Sequence, residues 1–459
     1  MARSQTIDVS QLIDERKING FNVLVVVLCF FITMLDGYDI TAVSFAAPTL
    51  IKEWGLTNMA AFGPVLSASL AGIFFGSLIF GYIGDRWGRK FAIIWSSIAM
   101  GVFTLAAVWA NDLATLAALR FLAGIGIGGL LPNSLALNAE FAPRRARATM
   151  VIVMFTGITF GGAIPGFLAA WLLSAYGWQS LFVVGGVLPL VIAAVTAFWL
   201  PESVKYLVLK TNRRAEVAKI VSSLEPTLPI TADTQFVVPQ EQSVPFTPAL
   251  LFSGGLFWLT ILLWILVICN QMAFYFVNSW LPTVLTSANV PLSHAVIANA
   301  LFQVGGTIGG LVLARPMDKY GMVPVCILFV LSIFAGCSIG YAREPEELLM
   351  TVVFLAGFTL LGTQLGLNAV STMIYPTSFR SSGAGWALAV SRFGAVVGPI
   401  VGGVLISWQL PIEQLYLFLL LPLGVGSIAS FIMARLYYLT FHGLGLERQA
   451  APKNAIAAH

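Results

Sequence analysis

Four charged side chains stand inside long apolar stretches of this chain: Asp36, Asp39, Arg120 and Arg392. The two acids fall in the run Asp36-Gly37-Tyr38-Asp39, within residues 21–50. At spacing i, i+3 they share one face of a helix. A membrane-spanning helix needs ~20 mostly apolar residues, which that stretch supplies. An ionisable group at the bilayer centre costs about 2.5–3.5 kcal/mol on insertion scales, so such residues mark ion and substrate pathways. Two carboxylates this close in a low-dielectric site cannot both carry charge cheaply, which suits a proton that is loaded and released. Arg120 lies two turns beyond Leu113, the start of another span, and the acids lie about three turns before Pro48, near the far end of theirs. With a rise of about 1.5 Å per residue these depths agree to within a turn or two, so Arg120 can neutralise one carboxylate if the two spans are neighbours. Two alternatives remain open: a helix ending near residue 35, with both acids in a solvated loop, and an ion pair of structural role only.

Arg392 has no acid at matching depth in its own half of the chain. A planar guanidinium facing a cavity binds a carboxylate bidentately. Alternatively it bonds backbone carbonyls of a neighbouring helix, with Gly385, Gly394 and Gly398 allowing the approach. Residues 256–284 carry Asn270, Gln271, Phe274, Tyr275 and Asn278. Asn270, Phe274 and Asn278 recur at i, i+4, i+8, giving one face with two amides and a ring, which suits a planar aromatic acid. Trp280 nearby reads as an interfacial anchor. Gln364, Asn368 and Tyr375 are weaker candidates of the same kind. The loop Asp85-Arg86-Trp87-Gly88-Arg89-Lys90 pairs a tight turn with charges that can reach Glu140 or the Pro143–Arg147 segment. It reads as an inner gate, with Asp318 and Arg380 as its counterparts, or as a basic loop that only sets topology.

The elements that must position these residues are membrane spans. The chain has 459 residues, 58% hydrophobic and 10% charged, which excludes a soluble globule. Twelve apolar runs are expected: 21–49, 60–82, 91–110, 113–139, 149–175, 180–200, 256–284, 295–314, 322–341, 347–374, 383–408 and 413–440. The fold class is therefore all-α and polytopic. Lys and Arg concentrate in alternate loops, which places both termini in the cytoplasm. Segment 1–20 is polar and shows no signal peptide. A six-helix half at 21–200, a cytoplasmic linker at 201–252, a second half at 253–440 and a tail at 441–459 complete the organisation. The halves repeat: Phe121-Leu122-Ala123-Gly124 recurs at 354–357, Asp85-Arg86-Trp87-Gly88 as Asp318-Lys319-Tyr320-Gly321, and Pro143/Arg147 as Pro376/Arg380. The offset is the same each time, since 354 − 121, 318 − 85 and 376 − 143 all equal 233. Even span numbers per half make this a repeat about the membrane normal. Cys29, Cys269, Cys326 and Cys337 lie in apolar runs without metal-ligand spacing and read as packing residues. His294 lies in an outer loop and His442 and His459 in the tail. No catalytic constellation or phosphate-cradling loop appears, so no enzyme activity, cofactor, metal or nucleic-acid partner is expected.

GYIGDRWGRK at 81–90 resembles the loop signature of the major facilitator superfamily, with RPMDKYG at 315–321 as a degraded second copy. DGYD at 36–39, RFLAGIGIGGLLPN at 120–133, FYFVNSWLP at 274–282, and YPTSFRSSGAGW at 375–386 with Arg392 downstream resemble the aromatic acid:proton symporters. The likeness spans all twelve runs. PESVKYL at 201–207 departs from it, since similar strings follow the sixth span in sugar porters. The resemblance implies neighbouring first and fourth spans, and proton-coupled uptake of a hydroxybenzoate-like acid by a monomer of the bacterial inner membrane. An exporter of drugs or metabolites, a sugar or organic-acid porter, and a transporter-like receptor are the alternatives.

Overall fold

A computed structural model describes residues 6–56, 59–143, 146–208, 210, 213–225, 228, 234–237, 247–253, 256–342, 345–375 and 380–441. The expected roles of Arg144, Arg145, the 376–379 part of the aromatic-acid motif, His442 and His459 lie outside them. Among the described residues twelve long helices carry the fold: α1 (Gly20–Glu53), α2 (Gly63–Trp87), α3 (Arg89–Ala106), α4 (Leu113–Phe141), α5 (Arg147–Tyr176), α6 (Gln179–Trp199), α7 (Leu256–Ser287), α8 (Leu292–Tyr320), α9 (Val323–Ser338), α10 (Glu346–Ile374), α11 (Arg380–Ser407) and α12 (Leu420–Phe441). Eleven of the twelve expected runs form helices long and apolar enough to cross a membrane, and α9 is a shorter apolar helix.

Contacts divide the chain into two compact units. The first takes the described parts of Met1–Ile40, Ala71–Gly162 and Gln179–Gln242; the second takes those of Thr41–Leu70, Ala163–Trp178 and Ser243–His459. In the first, α1 and α5 touch backbone to backbone, because Gly157 and Gly161 lie against Phe30 and Met34, and Gly37 against Ile158. Small residues serve this purpose where no hydrophobic force drives helices together. α4 starts at Asp112, whose carboxylate accepts from Thr115 N at 2.8 Å and Thr115 Oγ1 at 2.7 Å. These bonds hold the Asp112 carboxyl below its ordinary range.

The repeat predicted at offset 233 recurs in the packing. Gly72 of α2 lies on Phe121 of α4, and Gly305 of α8 lies on Phe354 of α10; 305 − 72 and 354 − 121 are both 233. Gly76 on Ile125 and Gly309 on Phe358 repeat the match one turn later. Gly394 of α11 is the counterpart of Gly161, since 394 − 161 is again 233, and it meets Ile268 of α7 as Gly161 meets Met34. The α1 and α7 partners differ by 268 − 34, or 234, one position more, so Asn270 is the counterpart of Asp36.

Two features were not expected. Thr6–Asp8 pairs in parallel with Gln235–Val237, tying the N-terminal segment to the linker. A short helix, Val9–Glu15, follows, and Arg16 Nε reaches Glu225 at 3.1 Å beyond the helix Arg214–Leu224. The polar terminus is thus docked, with Val9 and Ile13 buried.

Candidate functional site

α1 is continuous through the acid pair, so the reading of a helix ending near residue 35 is overturned. Asp36 stands midway between Gly20 and Glu53, at the centre of the helix. The expectation of a position near its far end is corrected, because the helix runs on through Pro48 to Glu53. Relative exposure is 4% for Asp36, 2% for Asp39 and 0% for Arg120, so all three have left water. Arg120 grips Asp39 with both prongs: Nη1 donates to Oδ1 at 2.8 Å, and Nη2 bonds Oδ2. Its guanidinium carbon also stands 5.7 Å from the Phe182 ring centroid. Tyr38, between the acids, donates its hydroxyl to Leu181 O at 2.9 Å and packs under Gly185. α6 therefore fixes the pair from behind through Tyr38 and Phe182, neither of which the sequence reading singled out.

In the second unit, α7 presents the expected mixed face. Asn270 Nδ2 donates to Gln364 Oε1 at 2.9 Å and to Leu360 O at 3.2 Å. Gln364 Nε2 reaches Asn368 Oδ1 at 3.3 Å. A narrow cleft opens beside Gln364 and Asn368, lined also by Val267, Leu367, Ser371 and Ser391. Phe274 stacks on Phe302 at 5.8 Å and 17°, and meets Tyr275 edge-on at 4.9 Å. Asn278 Oδ1 accepts from Gln303 Nε2 at 2.9 Å. Gln271 is buried. Tyr375 lies apart from this group, against Gly383 with its hydroxyl 3.3 Å from Thr260 Oγ1.

Arg392 is half-buried, and its guanidinium has no hydrogen bond or ion pair among the described residues. Of the three glycines expected to admit close approach, Gly394 and Gly398 do so, against Ile268 and Met272, while Gly385 has open space. Trp280 is not the lipid-facing anchor that was expected. It is 1% exposed, donates from Nε1 to Pro399 O at 2.8 Å and meets Phe62 edge-on.

The 85–90 loop forms a polar cluster inside the first unit. Asp85 pairs with Arg89, whose Nη1 donates to Asn133 Oδ1 at 3.3 Å. Arg86 turns outward onto Tyr82, donating to its hydroxyl at 2.6 Å. Glu140 accepts from Ser203 Oγ at 2.7 Å and from Lys205 N, and the positive charge of Arg89 in the loop acts on it through space. Glu202 Oε1 accepts from Lys90 N at 3.0 Å, and the Glu202 carboxylate lies over Gly88, which has φ 110°. A carboxylate at the start of α3 suits its helix dipole. Glu202 was read only as part of the linker; its position in PESVKYL was the available signal. Asp318 sits in the last turn of α8 and Arg380 begins α11. Gly88→Leu forces a side chain into a conformation reserved for glycine, costing about 1–3 kcal/mol, and displaces Glu202. The expected result is uptake reduced about tenfold or more at normal membrane levels, given ~1.4 kcal/mol per factor of ten. Transport assays with surface quantification check it, and near-normal uptake would remove the loop from the mechanism.

A family model described as Major Facilitator Superfamily matches residues 29–345. The chain belongs to that superfamily. It is 36% identical to the 4-hydroxybenzoate transporter PcaK of Pseudomonas aeruginosa over 93% of this chain and 95% of the relative. It is likewise 36% identical to a gallate transporter of Pseudomonas putida, over 92% of this chain and 94% of the relative. Among solved structures, the xylose transporter XylE of E. coli aligns with a TM-score of 0.66 at 16% identity, covering 91% of this chain and 99% of that one. That likeness concerns the fold: twelve helices in two pseudo-repeated halves. The chain is a multi-pass membrane carrier and not an enzyme.

Proposed function

We propose that this carrier takes up aromatic carboxylates such as hydroxybenzoates, driven by protons that move inward with the substrate. The observation that carries the coupling is the Arg120–Asp39 pair buried at mid-helix, with Asp36 one turn away on the same helix. A buried ion pair is a poor device for stability, and intramembrane acids are used where charge must move. The substrate class follows from the named transporters aligned along nearly the whole chain. The α7 face supports it, with rings to stack an aromatic plane and amides to orient polar substituents. Transport proceeds by alternating access as the two six-helix halves rock about a midplane site. Lys and Arg in alternate loops favour cytoplasmic termini in a bacterial inner membrane. The carrier functions as a monomer.

Cells expressing the protein, given radiolabelled benzoate, 4-hydroxybenzoate, xylose and a cationic dye in turn, test this reading. Uptake of the aromatic acids, competed by one another and abolished by a protonophore, is expected. Lower internal dye or acid than in control cells would point to an exporter, and uptake of xylose alone to a sugar porter.

A further inference from the structure

α8 carries two amides one turn apart, Asn299 and Gln303, with relative exposures of 0% and 6%. Gln303 is accounted for by its bond to Asn278 Oδ1. Asn299 is not: neither Nδ2 nor Oδ1 has a hydrogen-bond partner among the described residues, and Asn278 Nδ2 is in the same condition. An unsatisfied buried polar group costs about 1–3 kcal/mol, and hydrocarbon surroundings offer no water to relieve it. Three such atoms on two helices joined by one amide–amide bond need a partner. Their surroundings indicate its kind. Phe302, on the turn after Asn299, stacks on Phe274, which lies one turn from Asn278.

We propose that Asn299, together with Asn278, binds the ring hydroxyl of a phenolic acid and so sets the preference for hydroxylated over unsubstituted rings. Asn299 Oδ1 accepts the phenolic O–H, while Asn278 Nδ2 donates to its oxygen. The proposal rests on the reading of the chain as an aromatic acid carrier. Its dimensions agree. Asn270 and Asn278, at i and i+8, are about 12 Å apart along the helix, which spans a para-hydroxybenzoate with a hydrogen bond at each end. Arg392 lies two residues before Gly394, the residue packed on Ile268, and so stands within about a turn of Asn270, on the side away from Asn278, at the carboxylate end. A rival role for Asn299 is structural. Pro282 within α7 supplies no N–H to the Asn278 carbonyl, and the 278–303 pairing puts Asn299 about level with that gap.

The test is the ratio of 4-hydroxybenzoate to benzoate transport efficiency in proteoliposomes, for the parent, Asn299→Leu and Asn299→Ser. The parent is expected to prefer the hydroxylated acid, and Asn299→Leu to lower that ratio by about tenfold or more, because a site built around a hydroxyl loses its discrimination with the pairing group. Serine keeps a donor and an acceptor, so Asn299→Ser is expected to retain part of the preference; it decides the matter if the leucine variant fails to reach the membrane. Equal loss of both substrates with an unchanged ratio would assign Asn299 to the Pro282 break and overturn the proposal. A parent that transports both acids equally would overturn it while leaving the carrier function intact. A parent that transports neither would refute the functional reading itself.

Discussion

Asp39→Asn is expected to abolish accumulation of substrate under a proton gradient and to destabilise the folded carrier by about 3–5 kcal/mol, the cost of leaving one partner of a buried pair alone. Arg120 has no route to water: it is fully buried, gripping Asp39 and lying near the Phe182 ring. Thermal unfolding in detergent reads the stability loss, and uptake into proteoliposomes reads the coupling. The double variant Asp39→Asn, Arg120→Gln removes the stranded charge and is expected to recover stability without recovering accumulation. Asp36→Asn leaves the ion pair intact, so it is expected to fold normally and fail to accumulate. It should still exchange labelled for unlabelled substrate, which needs no net release of a proton. If Asp36→Asn and Asp39→Asn both accumulate substrate as the parent does, the acids have no part in coupling. If both lose exchange and binding together, they belong to the binding site.

The second large effect is expected at Arg392. Arg392→Lys should weaken substrate binding nearly as much as Arg392→Ala, by about ten- to a hundredfold, since hydrogen bonds to a charged group are worth about 1.5–3 kcal/mol. Lysine retains the charge but presents a point where the guanidinium presents a fork. The half-buried guanidinium, without an ion pair among the described residues, is placed to meet an anion. Calorimetry on the purified carrier measures it. Unchanged affinity in both variants would make Arg392 a structural residue of the α7–α11 contact, beside Gly394 and Gly398.

Much of the fold was legible because membrane spans advertise themselves by unbroken apolar length. The internal repeat was also legible, and it returns in the glycine contacts Gly72–Phe121 and Gly305–Phe354. The pairing of Arg120 with an α1 acid could be argued from depth together with the neighbouring first and fourth spans that the resemblance implies, though neither could choose between Asp36 and Asp39. That choice depends on how α4 is rotated, which is fixed by packing and not by the hydropathy pattern. Trp280 was misread because its position near a span end matches an interfacial aromatic. Only the tertiary contact with Pro399 and Phe62 shows it buried. Asn299 and Gln303 carried a readable signal, two amides at one-turn spacing inside an apolar run, which the more conspicuous residues of α7 overshadowed. The pairing of Thr6–Asp8 with Gln235–Val237 joins segments from opposite ends of the first half and its linker, and no local pattern announces it.

The central claim is that inward proton movement drives the uptake of an aromatic acid. Its most direct test is the internal-to-external ratio of labelled 4-hydroxybenzoate in proteoliposomes as an imposed pH gradient, acid outside, is stepped upward. The account predicts a ratio that rises with the gradient above the level seen in protein-free vesicles and collapses when a protonophore is added. A ratio that stays at the protein-free level at every gradient, while labelled and unlabelled acid still exchange through the protein, would contradict it.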